Sequence, residues 1–268
     1  MDELRTPGDA GHAAAAPKSP RRRTVALALA AAAFVAVVAT VAASAGGGAL
    51  PTGGGTPAGS GNLSGGGASH AVSVIARPAA TVELLAAPGQ VTIDGSAAGA
   101  VTLTGELHWS GHAPIATTRL NRIAGVLLLS YRCAAASPCT GNYRLVVPWR
   151  TAVVLRQPSG HVIISHLDGP LRITARSADI SATGLRSESL RAAITSGHMS
   201  ATFVTAPRHV ALTLISAQAT LRLPASAHYA ISEQVTAGYV HAGIPQAARA
   251  AHTIAVRIDS GELELLSR

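Results

Sequence analysis

Two hydrophobic patterns divide the chain. Residues 24–45 form a predominantly apolar run without a charged side chain, directly after Arg21, Arg22 and Arg23. As a helix this run would span about 33 Å, enough to cross a hydrocarbon core of about 30 Å. From Val72 onward, apolar residues tend instead to recur at every second position, which is the period of a half-buried strand. The pattern therefore predicts one transmembrane helix followed by an all-β domain.

The charges around the apolar run predict its orientation. Basic residues stand before it, and none follows until Arg77. The positive-inside rule then keeps the N-terminus in the cytoplasm and places the C-terminal domain outside the cell. We therefore expect a single-pass protein of a bacterial plasma membrane, with the lipid bilayer as the partner of the helix. The predicted order is a disordered cytoplasmic tail, a transmembrane helix, a linker rich in Gly, Pro and Ser, and an extracellular repetitive β domain: residues 1–23, 24–45, 46–70 and 71–268.

A cleaved signal peptide is the alternative to a permanent anchor. Ala43-Ser44-Ala45 fits a small-residue cleavage site, and cleavage there would release the domain as a secreted protein. The apolar run is longer than a usual signal core, which favours the anchor. Both interpretations export the β domain.

Turns made of small residues recur along the second half of the chain at intervals of 18 to 24 residues. A strand with alternating apolar residues precedes each clear turn, and a second strand follows it. A unit of this length cannot bury its apolar face alone and must stack on its neighbours. The repeat therefore predicts a β-solenoid, a β-helix-like fold with layers about 4.8 Å apart. A β-sandwich of short hairpins is the alternative. The turns are Ser159-Gly160, Ser177-Ala178, Ser196-Gly197, Ser216-Ala217, Thr236-Ala237 and Ser260-Gly261.

Cys133 and Cys139 are the only cysteines in the chain. A zinc site needs about four ligands, and a catalytic thiolate needs a partner, and neither context surrounds this pair. We therefore expect a local disulfide, which requires an oxidising compartment and agrees with export of the domain.

The sequence contains no recognisable catalytic motif. It lacks a Gly-x-Ser-x-Gly nucleophile elbow and a phosphate-binding Gly-x-x-x-x-Gly-Lys loop, and its acidic residues are dispersed. The formal net charge is +8, but the arginines of the β domain are scattered singly and no basic run is interleaved with aromatics. We therefore predict that the protein is not an enzyme, has no cofactor or metal, and does not bind nucleic acid.

Two groups of polar residues are candidates for a ligand-binding face. In a solenoid, His161, Asp179 and His198 follow equivalent turns and would lie about 5 Å apart on successive layers. Two imidazoles and a carboxylate are suitable zinc ligands, but turn residues are usually solvated, so we interpret the three as a polar ladder. The second group is a basic face of outward arginines, formed by Arg172, Arg176 and Arg191.

Several of these features together resemble a known family. They are the segment Leu107-His108-Trp109-Ser110-Gly111, the Cys133 and Cys139 pair, the step from Val146-Val147-Pro148 into Val153-Val154-Leu155, and the run of Ser-Gly or Ser-Ala turns. Residues 72–268 resemble the putative adhesin domain of membrane-anchored proteins of high-GC Gram-positive bacteria, which has repeated Gly-Ala-Gly-Asp turns. The resemblance implies a β-helix-like fold and a surface location. The turn aspartate of that family survives here only as Asp179, so a function that needs a ladder of aspartates is not expected.

These observations lead to two functional hypotheses. The first is a membrane-anchored, adhesin-like and non-catalytic domain that binds an anionic cell-wall polymer, a glycan or a protein. The second is a structural or sensory ectodomain that modulates a membrane protein.

Overall fold

The computed structural model describes residues 67–268, and every helix or strand in that range is a β-strand. This confirms the all-β class. The predicted cytoplasmic tail, the transmembrane helix and most of the linker lie outside the described residues. Residues 67–268 contain no helix long and apolar enough to cross a membrane. The first strand begins at Ala68, three residues before the predicted start of the domain.

Residues 67–268 form fourteen strands of one open sheet. In chain order they are β1 (Ala68–Ala76), β2 (Thr81–Leu85), β3 (Gly89–Ser96), β4 (Val101–Trp109), β5 (Ile115–Asn121), β6 (Val126–Arg132), β7 (Cys139–Pro148), β8 (Ala152–Ser165), β9 (Leu171–Leu185), β10 (Ser189–Phe203), β11 (His209–Leu223), β12 (Tyr229–Val235), β13 (Gly238–Gly243) and β14 (His252–Ser267).

Five long strands form the centre of this sheet. β8, β9, β10, β11 and β14 have 14 to 16 residues each and lie side by side, parallel and in register. Thr236-Ala237 lies between β12 and β13, as predicted, but each of the other five pairs of small residues lies within one continuous strand. At each of these points the register omits one residue, for example Arg176 in β9 and Thr195 in β10. The chain therefore bends there while the strand pairing continues on both sides.

Pairs of shorter strands extend the stack at both ends. We use "rung" for one layer of the stack, whether it is one long strand or two short ones. β2 and β3 together pair with β8 and make one rung, and β6 and β7 make the next rung outward. At the other end, β12 and β13 pair with β14. The rungs do not follow chain order at the ends, because β2–β3 lies between β6–β7 and β8, and β14 lies between β11 and β12–β13.

Antiparallel strands complete the end formed by the earlier part of the chain. β4 pairs antiparallel with β7, β1 pairs antiparallel with β4, and β5 pairs antiparallel with β6. The disulfide predicted between Cys133 and Cys139 is present and joins the residue after β6 to the first residue of β7. It therefore closes the loop between the two halves of one rung.

The core consists of aliphatic side chains stacked in register. Strand alternation buries every second residue, so equivalent positions on successive rungs contact each other inside the stack. One such line contains the buried side chains of Leu155, Ile173, Ala192, Leu212 and Val256. The intervening residues point outward, and this alternation sets which side chains can form a site.

One polar side chain is buried at the bend of β8. Gln157 is 2% exposed, and its Nε2 donates to the backbone oxygens of Ser159, Gly89 and Ala87 at 2.7, 3.2 and 3.4 Å. Ala87 lies in the connection between β2 and β3. The Gln157 amide thus replaces ladder hydrogen bonds where that rung is interrupted.

Candidate functional site

A ladder of polar side chains follows the bend on the outward face of the stack. His161, Asp179 and His198 are register partners on β8, β9 and β10. The Asp179 carboxylate lies between the two imidazoles, with Oδ2 3.6 Å from Nε2 of His161 and Oδ1 3.3 Å from Nδ1 of His198. The three residues are therefore adjacent, as the repeat predicts, because each occupies the same position of its rung.

The geometry of this ladder does not form a metal centre. The two imidazoles contact different oxygens of Asp179 on opposite sides of it, so the three side chains do not converge on one point. Across residues 67–268, no group of three or more His, Cys, Asp or Glu side chains is arranged to hold a metal ion. All three side chains are more than half exposed, where ion pairs are weak and screened by salt.

The ladder continues on the flanking rungs. Gln218 and Glu262 extend it on β11 and β14, while Gln90 and Tyr239 occupy the same position on β3 and β13. The Tyr239 hydroxyl donates to Oε1 of Glu262, and this bond raises the pKa of Tyr239. The sequence repeat did not identify Gln90 and Tyr239, because their rungs are built from separate strands stacked out of chain order.

The arginines of the predicted basic face lie at the bend or on the strand segments before it. Arg172 on β9 and Arg191 on β10 are direct register partners, so their side chains emerge from neighbouring strands about 4.8 Å apart. Arg176 stands at the bend of β9, where the register omits it. All three are exposed.

These three arginines differ from several others in their surroundings. Within residues 67–268, none of the three has a hydrogen bond or ion pair through its side chain. Other arginines of the described domain form ion pairs, among them Arg144 with Asp94, Arg156 with Glu83, Arg208 with Glu188, and Arg257 with Asp259. Like charges directly opposite each other on neighbouring strands are destabilising. The Arg172 and Arg191 pair therefore carries positive charge that no group of the described domain offsets.

A shallow, open trough runs beside this basic pair across β11, β14 and β12. It encloses about 440 Å³. The outward residues of its lining are Ala211 and Thr213 of β11, Ala255 and Arg257 of β14, and Ser232 and Gln234 of β12. The lining also includes Glu233 of β12, whose register partner is the buried Val256. The trough exists because small side chains occupy the outward positions next to Arg191.

The buried tyrosines lie away from both groups. The rings of Tyr131 and Tyr143 pack at a centroid distance of 5.2 Å within the core near the disulfide-bonded rung. Burial raises the pKa of both hydroxyls, and for Tyr143 the neighbouring Tyr131 raises it further. Their position indicates a packing role.

Comparisons with known proteins found similar solved structures at low sequence identity. No family model and no curated protein matches the chain. It is similar to the crystal structure of a putative cell adhesion protein from Clostridium sporogenes, with 13% identity over 75% of this chain and 100% of that one, at a TM-score of 0.42. It is also similar to a putative adhesin from Parabacteroides merdae, with 8% identity over 74% of this chain and 96% of that one, at a TM-score of 0.33. A putative adhesin from Bacteroides fragilis has 8% identity over 73% of this chain and 97% of that one, at a TM-score of 0.36. These descriptions agree with the resemblance to putative adhesins found in the sequence.

Proposed function

We propose that this chain is a membrane-anchored, adhesin-like surface protein whose β domain is a non-catalytic binding module for an anionic cell-wall polymer. The single observation that carries the proposal is the pair of unpartnered arginines, Arg172 and Arg191, held side by side by the strand register. An external anion would offset the repulsion between them and gain charge-assisted hydrogen bonds.

The repeated architecture supports a binding role. We interpret the in-register rungs as a β-solenoid whose early end is completed by antiparallel strands. Solenoids present extended surfaces made of equivalent positions on successive rungs, and such surfaces suit elongated partners. The exposed polar ladder around Asp179 would add hydrogen-bonding groups beyond the bend.

The sequence and the disulfide support the proposed location. Residues 24–45 fit a single membrane span with the basic residues on the cytoplasmic side. The bond between Cys133 and Cys139 is stable in an oxidising compartment, as expected outside the cytoplasm.

Retention on isolated bacterial walls tests this proposal. We expect the full chain in detergent micelles to bind walls at low salt and to be released as salt rises, because exposed charges are screened within about 10 Å at 0.1 M. Replacing Arg172, Arg176 and Arg191 together with Gln should abolish retention. Salt-insensitive retention that is equal in wild type and variant would refute the proposal.

One observation favours a second function, an ectodomain that modulates a membrane protein. Apart from a bridge between Tyr229 and Gln246, no strand of the described chain lies along the outward edge of β12 and β13. Val235 and Tyr239 on these strands are 39% and 56% exposed. An open edge of this kind can accept a strand from a protein partner. Photo-crosslinking from Tyr239 in cells should then recover one specific membrane protein, and recovery of none would count against this function.

A further inference from the structure

We propose that the trough beside the basic pair seats the backbone of a linear, hydroxyl-bearing polyanion that runs across the strands, with Arg172 and Arg191 holding an anionic group at one end. This inference rests on the proposed function and specifies the class of ligand and the surface that binds it. The ligand class is a polyol phosphate or a uronate-containing polysaccharide, since both combine regularly spaced anionic groups with free hydroxyls.

The strand register gives the trough its direction. One line of outward positions crosses five neighbouring strands, with one residue from each of β9, β10, β11, β14 and β12. The line changes from two long cationic side chains to two methyl groups and then a hydroxyl. The line therefore has a positively charged end, followed by the small side chains that form the floor of the trough. Neighbouring positions along it are about 4.8 Å apart, which is the spacing between strands. In this order the residues are Arg172, Arg191, Ala211, Ala255 and Ser232.

Polar groups on the trough have no partners of their own. The side chains of Thr213, Ser232 and Gln234 make no hydrogen bond within the described domain. They can donate to and accept from ligand hydroxyls. The methyl groups of Ala211 and Ala255 leave room for a sugar ring or polyol chain to lie close to the backbone.

The charges determine which end of the trough takes the anion. Arg257 lies on the trough wall but is held by Asp259 at 3.4 Å, and Glu233 lies at the far end. Only the end with Arg172 and Arg191 has uncompensated positive charge. An anionic group therefore sits at that end, and the uncharged part of the repeat unit lies over the alanines toward Ser232.

The open shape favours a polymer over a small anion. Sites for small molecules are usually enclosed and bury most of the ligand, whereas this trough is open to solvent along the sheet surface. A polymer compensates for weak contacts at each unit by engaging several, and by bridging several anchored copies of the protein.

Binding measurements with defined polymers test the inference. The full chain in detergent micelles would be titrated with poly(glycerol phosphate), polygalacturonate, dextran and single-stranded DNA. We expect binding to at least one of the first two and none to dextran. Tighter binding of poly(glycerol phosphate) identifies a phosphate source, and tighter binding of polygalacturonate identifies a uronate source. Failure of both, or equal binding of single-stranded DNA, would overturn the inference.

Two kinds of variant separate this inference from the proposed function. Ala255→Gln fills the floor without changing charge and should weaken polymer binding about tenfold, whereas Arg222→Gln, beyond the bend, should leave it within about twofold. Removing Arg172 and Arg191 tests the proposed function. If their removal abolishes wall binding while Ala255→Gln has no effect, the trough is refuted and the basic pair remains. If wild type does not bind walls at all, the proposed function itself fails. Circular dichroism checks that each variant is folded.

Discussion

The backbone at the bend of β10 makes a strong prediction for the substitution Gly197→Ala. Gly197 has a φ of +110°, and a Cβ added to it would lie 2.2 Å from the backbone oxygen of Ala178 on the neighbouring rung. Such an approach forces the two strands apart. Its register partners on either side, Ala178 and Ala217, do carry a Cβ, so glycine here allows close contact between rungs.

The expected cost combines two effects. An unfavourable backbone conformation costs about 1–3 kcal/mol, and overpacking against a fixed backbone costs about 1–3 kcal/mol. We therefore expect Gly197→Ala to lower the free energy of unfolding by about 2–6 kcal/mol. The matched control is Ala217→Gly at the equivalent position of the next rung. It relieves no clash and should cost only about 1 kcal/mol through chain entropy.

Guanidinium unfolding of the full chain in detergent, followed by far-UV circular dichroism, measures this difference. The midpoint of Gly197→Ala should fall well below that of Ala217→Gly. Because stacked repeats can unfold in parts, the comparison should use the same transition in both variants. If Gly197→Ala costs no more than Ala217→Gly, the proposed contact between rungs at this bend is wrong.

Three further results follow from the core and the disulfide. Replacing Cys133 and Cys139 with Ser should lower stability by about 2 kcal/mol in a chemical unfolding curve, because the bond closes a short loop; an unchanged midpoint would contradict this. Replacing Gln157 with Leu should cost about 1–3 kcal/mol, because backbone carbonyls lose their donor, and a neutral result in the same assay would show that water replaces it. Burial raises the pKa of Tyr143, so the folded state holds this proton more tightly than the unfolded state, and stability should fall as pH rises above about 10. Tyr143→Phe should reduce that loss in thermal melts across the alkaline range, and an identical pH profile would exclude this tyrosine as its cause.

Much of the repeated part of the fold could be predicted from the sequence. Alternating apolar residues and evenly spaced small residues fix which side chains point inward and which residues share a position. The adjacency of His161, Asp179 and His198 follows from that spacing alone. The spatial order of the end rungs could not be predicted, because a repeat shows that units stack but does not show which units are neighbours. β2–β3 is inserted between β6–β7 and β8, and β14 is inserted between β11 and β12–β13, although the rungs on either side of each insertion are consecutive in the chain.

The candidate site shows the same limit. Spacing brought Arg172 and Arg191 together, since they lie 19 residues apart at equivalent positions. The trough was not predictable, because its lining joins β11 to β14 and β12, and β12 lies beyond β14 in the stack. Small outward residues such as Ala211 and Ala255 carry no signal of their own in the sequence. They indicate a binding surface only because the strand register places them next to Arg172 and Arg191.

A double-mutant cycle on polymer binding tests the central claim most directly. The claim is that the register makes Arg172 and Arg191 one anion-binding unit. The full chain would be titrated with the better of the two anionic polymers, using Arg172→Gln, Arg191→Gln and the double variant. We predict a coupling free energy of at least about 0.5 kcal/mol, whereas the distant pair Arg172 and Arg222 should be additive within about 0.3 kcal/mol. Additive effects of Arg172 and Arg191, or no effect of either, would contradict the account.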